Sequence, residues 1–244
     1  MRRLQVLPTV LLLITGAAAA QDPAPLSDTE IQRLVEQKLR GENLLPDGVE
    51  VSVDGGAVTL NGKVPNVWTK DQIIALALDV PQAKEILSEL TIATGESDED
   101  LAKQLAEKIR RYPSYTIHDE VTGRVEEGVV YLVGWVTMPF KRSDIEEMAS
   151  QILGVQELRN EISVLPTSGN DDQLRETLAR RIYSDATFRP YASQAYPPIH
   201  IIVFSSRVLL TGVVRSEVER VKAERIVSST PGVLSVENLL RLDR

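Results

Sequence analysis

The chain of 244 residues carries 35 acidic against 27 basic side chains, a formal charge of −8, which argues against general nucleic-acid binding. It has no cysteine, so disulfide staples, thiolate metal sites and a lipid-modified N-terminal cysteine are excluded. Its only histidines, His118 and His200, leave little material for a metal centre.

At the N-terminus Arg2 and Arg3 precede an apolar run, Val10-Leu11-Leu12-Leu13-Ile14, that leaves through Ala17-Ala18-Ala19-Ala20. Basic start, short apolar middle and small-residue exit are the parts of a secretory signal peptide, with cleavage expected after Ala20. The run is short for a bilayer span. The expected mature product is exported, with no transmembrane helix, and its lack of cysteine suits a bacterial periplasm.

The next elements follow a pattern that recurs. Ser27, with Glu30 three residues on, is placed to cap a helix whose buried stripe is Ile31, Val35 and Leu39. Two alternating runs, VEVSV at 49–53 and VTLNGKV at 58–64, joined by DGGA, read as a β-hairpin. Gly62-Lys63 is not a phosphate loop, because Val64-Pro65 follows where Ser or Thr is needed and no glycine stands at position 57. Thr69 with Gln72 offers a capping box for a second helix carrying Ile73, Leu76, Ala77 and Val80. Trp68, just before that cap, is expected to staple onto Ile73. A last strand runs through Ile86 and Leu90.

After the short link Ala93-Thr94-Gly95-Glu96 the order repeats. Ser97 with Asp100 caps Leu101, Leu105 and Ile109; VTGRV at 121–125, with Gly123 in a strand interior, pairs with VYLVGWV at 130–136; Ser143 with Glu146 opens a helix carrying Ile145, Met148, Ala149 and Ile152; Leu158 and Ile162 follow. Beyond Pro166-Thr167-Ser168-Gly169 it comes once more. Asn170 with Gln173 precedes Leu174, Leu178 and Ile182; IHIIV at 199–203 pairs with VLLTGVV at 208–214; Ser216 with Glu219 precedes Ala223, Ile226, Val227 and Thr230; Val236 and Leu240 close the copy. This third copy carries an insertion at about 186–198, including FRPYASQAYPP, which is either functional or packing material.

The fold expected is therefore α+β: three tandem α-β-β-α-β units, 27–94, 97–166 and 170–243, each with two helices on a three-stranded mixed sheet. Gly62, Gly134 and Gly212 occupy one position of the repeat. A bulge, or close approach of a helix backbone, explains a residue without Cβ there. Units of about 70 residues without staples are near the lower limit of independent stability, so the copies are expected to pack on one another.

With the repeats aligned, the chain resembles the BON-domain family of bacterial envelope proteins. LLTGVVRSEVERVKAERIVSSTPGVLSVENLLRL, 209–242, carries the family's strand–Gly, P-G-V and V-x-N-x-L pattern in Gly212, Pro231-Gly232-Val233 and Val236-Glu237-Asn238-Leu239-Leu240. The second copy matches through Gly134, Gly154-Val155 and Leu158-Arg159-Asn160-Glu161-Ile162; the first departs, with Gln82 for the glycine and Ser88 for the asparagine. The resemblance implies periplasmic residence and a non-catalytic role in envelope integrity, through attachment to phospholipid surfaces or envelope partners. It brings no catalytic, cofactor or metal residues.

Charge singles out the third unit. Residues 167–244 hold 11 basic and 9 acidic side chains, ten of the cations being arginine, whereas the other two units are acidic. Arg180 and Arg225 point away from their helix stripes, and Arg181 and Lys222 flank them. Together these four suit anionic phospholipid head groups, the bland reading being a solvated face that pairs with the acidic units. In MPFKR, 138–142, Phe140, Lys141 and Arg142 combine an aromatic with bases, as interfacial anchors do. The rival class is a protein adaptor or peptide-binding module acting by strand addition at a sheet edge. His200, alternating with Ile199 and Ile201, reads as structural. The carboxylate pairs Glu126-Glu127 and Asp171-Asp172 sit in a turn and a helix start, and an enzyme is not expected.

Overall fold

The computed structural model describes residues 25–194 and 196–243, so the expected signal peptide lies outside the described residues. The first unit runs α1 (Asp28–Gly41), β1 (Glu50–Asp54), β2 (Ala57–Val64), α2 (Val67–Leu78) and β3 (Glu85–Ile92). The second runs α3 (Asp98–Arg110), β4 (Glu120–Glu126), β5 (Val129–Val136), α4 (Pro139–Ser150) and β6 (Glu157–Val164). The third runs α5 (Gly169–Ser184), a short α6 (Arg189–Ala192) within the insertion, β7 (Ile199–Phe204), β8 (Arg207–Val214), α7 (Glu217–Ser228), β9 (Ser235–Asn238) and β10 (Arg241–Leu242). In each unit the hairpin is antiparallel and the last strand pairs parallel to the middle one, giving the mixed sheets anticipated. Helices cover one face, and each unit has its own apolar core, centred on Leu60 and Ile73, Leu132 and Ile145, and Leu210 and Leu178.

The hairpin turns are tighter than the four-residue connections read from sequence. Asp54 pairs with Ala57, Glu126 with Val129 and Phe204 with Arg207, leaving two-residue turns. Both residues of each turn have positive φ: Gly55 58° and Gly56 87°, Glu127 51° and Gly128 76°, Ser205 48° and Ser206 62°. This is the twist that matches flanking strands. For Glu127, Ser205 and Ser206 it costs about 1 kcal/mol or more each. One carboxylate per unit offsets that cost. Asp28 accepts from Gly55 N and Gly56 N, each at 2.9 Å. Asp98 accepts from Glu127 N at 2.8 Å and Gly128 N at 2.9 Å, and Asp171 from Ser205 N and Ser206 N at 2.9 Å. Each aspartate stands in the first turn of its unit's first helix, so helix start and hairpin tip are locked together.

The repeat glycines are explained differently from either expectation. A Cβ on Gly62, Gly134 or Gly212 would overlap the carbonyl oxygen of Gly48, Glu120 or Pro198 respectively. The close neighbour is thus the backbone entering the unit's first strand, not a helix, and φ is +138°, +131° and +103° at the three positions. The asparagine of V-x-N-x-L also has a structural task. Asn160 Nδ2 donates to Glu146 Oε2 at 2.8 Å and its Oδ1 accepts from Ile162 N at 3.1 Å; Asn238 repeats this with Glu224 at 3.0 Å and Leu240 N at 3.2 Å. Last strand and second helix are tied together by it.

Helix starts hold in part. Ser27, Ser97 and Ser216 cap as expected, accepting from the amide three residues on. Helix α5 starts earlier than Asn170 suggested, on Ser168. Asn66 caps α2, accepting from Thr69 N at 2.8 Å, and Thr69 is buried inside the first turn. Trp68 is therefore helical, and the staple read for it gives way. Helix α4 begins at Pro139, with no side-chain cap on Met138, so Ser143 lies within the helix. Proline needs no amide partner at that position, which makes a hydroxyl cap dispensable.

Candidate binding surfaces

Helix α7 turns Ala223 and Val227 inward. Its opposite stripe carries Val218, Val221, Lys222, Arg225 and Ser229, with Val218 75 % and Val221 45 % exposed. From α5, Arg181 reaches across to donate to Ser229 Oγ at 3.2 Å. Arg180 borders an open depression beside Ser206 and Pro231-Gly232. Arg181 thus reaches the end of α7, and Arg180 and Arg225 have no ion-pair partner among the described residues. Lys222 differs. Its Nζ donates to Asp185 Oδ1 and Thr187 Oγ1, both at 2.6 Å. That ammonium, with the Thr187 amide, holds the Asp185 carboxyl below its ordinary value.

The 138–142 segment divides. Phe140 is 52 % exposed, and Arg142 is exposed with Nη2 3.4 Å from Asn160 O. Lys141, expected beside them, turns inward and is 5 % exposed. It stands one turn before Ile145 on the buried stripe of α4. Its Nζ donates to Thr137 Oγ1 at 2.8 Å and to Asp119 Oδ2 at 2.6 Å. Asp119 is wholly buried and also accepts from Thr116 N, Thr116 Oγ1 and Thr137 N at 2.8 Å and from Thr137 Oγ1 at 3.0 Å. Burial pushes this carboxyl up, but the Lys141, Thr137 and Thr116 donors outweigh it and hold it below its ordinary value. Lys141 is committed to this cluster and is not available to a surface ligand.

The insertion is packing material, both within its own unit and against unit 2. Phe188 and Tyr191 join the third core, and Tyr191 Oη donates to Glu219 Oε2 at 2.6 Å. Tyr196 is exposed and lies under the Arg110 guanidinium of unit 2, 5.1 Å from ring centre. Units 2 and 3 meet alongside it. Ile201 N donates to Ile117 O at 2.6 Å, His118 Nδ1 to Ile201 O at 3.1 Å, and His200 Nδ1 to Asp119 O at 2.6 Å. Thr211 Oγ1 donates to Glu120 Oε2 at 2.9 Å, and the Ile117 side chain packs on the third core. Both histidines therefore hold a junction. Among the described residues no group of three or more His, Asp and Glu side chains is placed to hold a metal ion. Units 1 and 2 meet otherwise, through Gly154 N to Pro65 O at 3.1 Å, Asn66 Nδ2 to Gln151 O at 3.2 Å, and Val67, which touches both cores.

No helix among the described residues is long and apolar enough to cross a membrane. Among solved structures the chain is similar to the C-terminal domain of CdsD, a structural protein of the type III secretion system of Chlamydia trachomatis. Identity there is 12 %, over 90 % of this chain and 100 % of that one, with a TM-score of 0.27. A second CdsD structure gives 13 % identity over 86 % and 91 % of the two chains, with a TM-score of 0.26. A comparison with curated proteins finds no match. The BON domain, a non-catalytic, binding-type domain generally associated with the cell envelope, matches at 27–94, 97–166 and 170–244. Those segments account for most of the chain and coincide with the three structural units, so this polypeptide belongs to the BON domain family three times over.

Proposed function

We propose that the chain is a non-enzymatic protein of the periplasm, exported by residues 1–20, that docks on anionic phospholipid surfaces through the third unit. The observation that carries this is the outer stripe of α7. Val218 and Val221 stand in solvent, and Arg225 on the same stripe has no ion-pair partner among the described residues. Arg181 of α5 reaches the end of that stripe at Ser229, and Arg180 stands exposed next to Arg181 in the chain. Exposed aliphatic side chains flanked by guanidinium groups give an interfacial helix both of its terms, shallow apolar insertion and attraction to head-group phosphate. No acid stands on the stripe formed by residues 218, 221, 222, 225 and 229. Phe140 and Arg142 offer a second, smaller contact on unit 2.

The test is co-sedimentation of residues 21–244 with phosphatidylglycerol-containing and with pure phosphatidylcholine vesicles, at low and at moderate salt. Binding restricted to the anionic vesicles, weakened by salt and abolished when Arg180, Arg181 and Arg225 are changed to Gln, is the expected result. Equal binding by that triple variant, or none by the wild type, overturns the proposal.

A further inference from the structure

The sheets expose one structurally equivalent edge in each unit, formed by β1, β4 and β7. Alternate residues of such a strand aim their backbone N–H and C=O away from the partner strand. In β7 these are Ile199, Ile201 and Val203, and each is engaged. Ile199 O accepts from Tyr183 Oη at 2.6 Å, Ile201 pairs with Ile117 and His118 as described, and Val203 O accepts from Arg175 Nη2 at 2.6 Å. The equivalents in β4 are Val121, Gly123 and Val125. Val121 N donates to Tyr115 Oη at 2.9 Å. The outward backbone groups of Gly123 and Val125 have no partner among the described residues.

Gly123 borders a cleft of about 350 Å³ between units 2 and 3, and Val125 lies two residues further along the same edge strand. Ala106, Ile109 and Arg110 of α3 wall one side, and Tyr196, Pro197 and Arg241 of unit 3 the other. Gly123 is itself a packing requirement. A Cβ there would overlap Leu105, so the missing side chain lets α3 lie close beside the edge. A helix beside an unpaired edge strand is the arrangement in which an added strand finds backbone partners along its length and side-chain contacts on one face.

We infer that this cleft takes an extended peptide of a partner protein, which adds to β4 as a fourth strand. The junction between units 2 and 3 indicates the occupant. At the equivalent position of unit 3 the edge is already covered by a stretch of chain, with Ile117 bonded to Ile201 through the backbone and seated by its side chain on the third core. The cleft continues that interface, since Tyr115, Thr116, Ile117 and His200 also line it. The occupant therefore presents a carbonyl to Gly123 N–H and an apolar side chain toward Ala106 and Ile109. Proline is excluded at the pairing positions, because it has no donor for the carbonyls of Gly123 and Val125. This surface is separate from the α5–α7 patch, and either can fail without the other.

The experiment is amide hydrogen exchange on residues 21–244, with a lysine-flanked peptide of alternating valine and threonine as the probe. Saturating peptide is expected to slow exchange at Gly123 and Val125 at least about tenfold, with no change at Ile201. The same peptide N-methylated on the residues facing β4 is expected to give no protection, its side chains being unchanged. Ala106→Trp, at an exposed position, narrows the cleft and is expected to weaken the effect while leaving the circular dichroism spectrum intact. Protection at Val51 and Val53 of β1 in place of β4, equal protection by the N-methylated peptide, or none at any concentration overturns the inference. So does concentration-dependent dimerisation that protects Gly123 and Val125 without peptide, which assigns the edge to a second copy of the chain.

Discussion

Replacing Lys141 with Met removes the cation paired with Asp119 and leaves an ionised carboxylate with no exposed surface. Truncating one member of a buried ion pair costs about 3–5 kcal/mol in general. Here Asp119 keeps four donors, from Thr116 and Thr137, and charge-assisted hydrogen bonds hold most of what an ion needs. The expected loss is therefore smaller, about 2–3 kcal/mol at neutral pH. Its sign with pH is fixed. The folded state holds Asp119 below its ordinary value, so the stability it contributes is present above about pH 4 and is lost as pH falls through the folded value. The difference between wild type and K141M should shrink in acid, first as the unpaired Asp119 of the variant takes up a proton and fully once the wild-type carboxyl, held below its ordinary value, does so too. Urea unfolding followed by Trp135 of unit 2, at pH 7 and in steps to well below about pH 3.5, measures both quantities. The double variant D119N/K141M is expected to recover part of the loss. A cost below about 0.5 kcal/mol at pH 7, or one unchanged in acid, would refute the assignment of Lys141 to the interior.

Burial lowers the pKa of His118, against a weaker opposing effect of its bond to Ile201. Its contribution to stability is present above about pH 6.5 and lost on acidification, so thermal scans from pH 7.5 to pH 5 should show a larger drop for wild type than for His118→Gln. Gly134→Ala drives a methyl group into Glu120 O at φ +131° and is expected to cost at least about 2 kcal/mol in urea unfolding. Gly41→Ala, with nothing within 4 Å of the new atom, should be neutral or stabilising by up to about 1 kcal/mol. Asp171→Ala releases both amides of the Ser205-Ser206 turn and should destabilise by about 1–3 kcal/mol, with amide exchange at those two residues accelerated.

Much of the fold was legible because it is written in short periods. The stripes Ile31-Val35-Leu39 and Ile145-Ala149 and the alternation of VYLVGWV depend on neighbours within one element, and the structure places each as the periodicity demands. What escaped depends on partners far along the chain. The inward turn of Lys141 needs Asp119, on the other side of a hairpin, although a cue was present: position 141 continues the stripe 145, 149 and 152 by one turn. The same repeat position holds buried Thr69 in unit 1 and half-buried Glu219 in unit 3. Reading a lysine as surface by residue type overrode the register. The helix starts at Asn66 and Pro139 were missed because a hydroxyl followed by Gln or Glu was preferred to earlier, equally good starts. On the candidate surface, Arg180, Arg181 and Arg225 stand in solvent where their helix positions put them. The tie between Lys222 and Asp185 runs between α7 and the insertion, which has no period to read.

The three hairpin tips are Gly-Gly, Glu-Gly and Ser-Ser, dipeptides with little in common as side chains. What they share lies about 27 to 35 residues upstream, in the carboxylate that grips their amides. The bend is thus specified twice, by the backbone angles of the tip and by a helix that lies far upstream of it. Every tip residue that is not glycine is strained by about 1 kcal/mol or more, and the distant aspartate is what lets Glu127, Ser205 and Ser206 stand there. A turn in this chain can therefore depart from the usual glycine signature only while its partner carboxylate is kept.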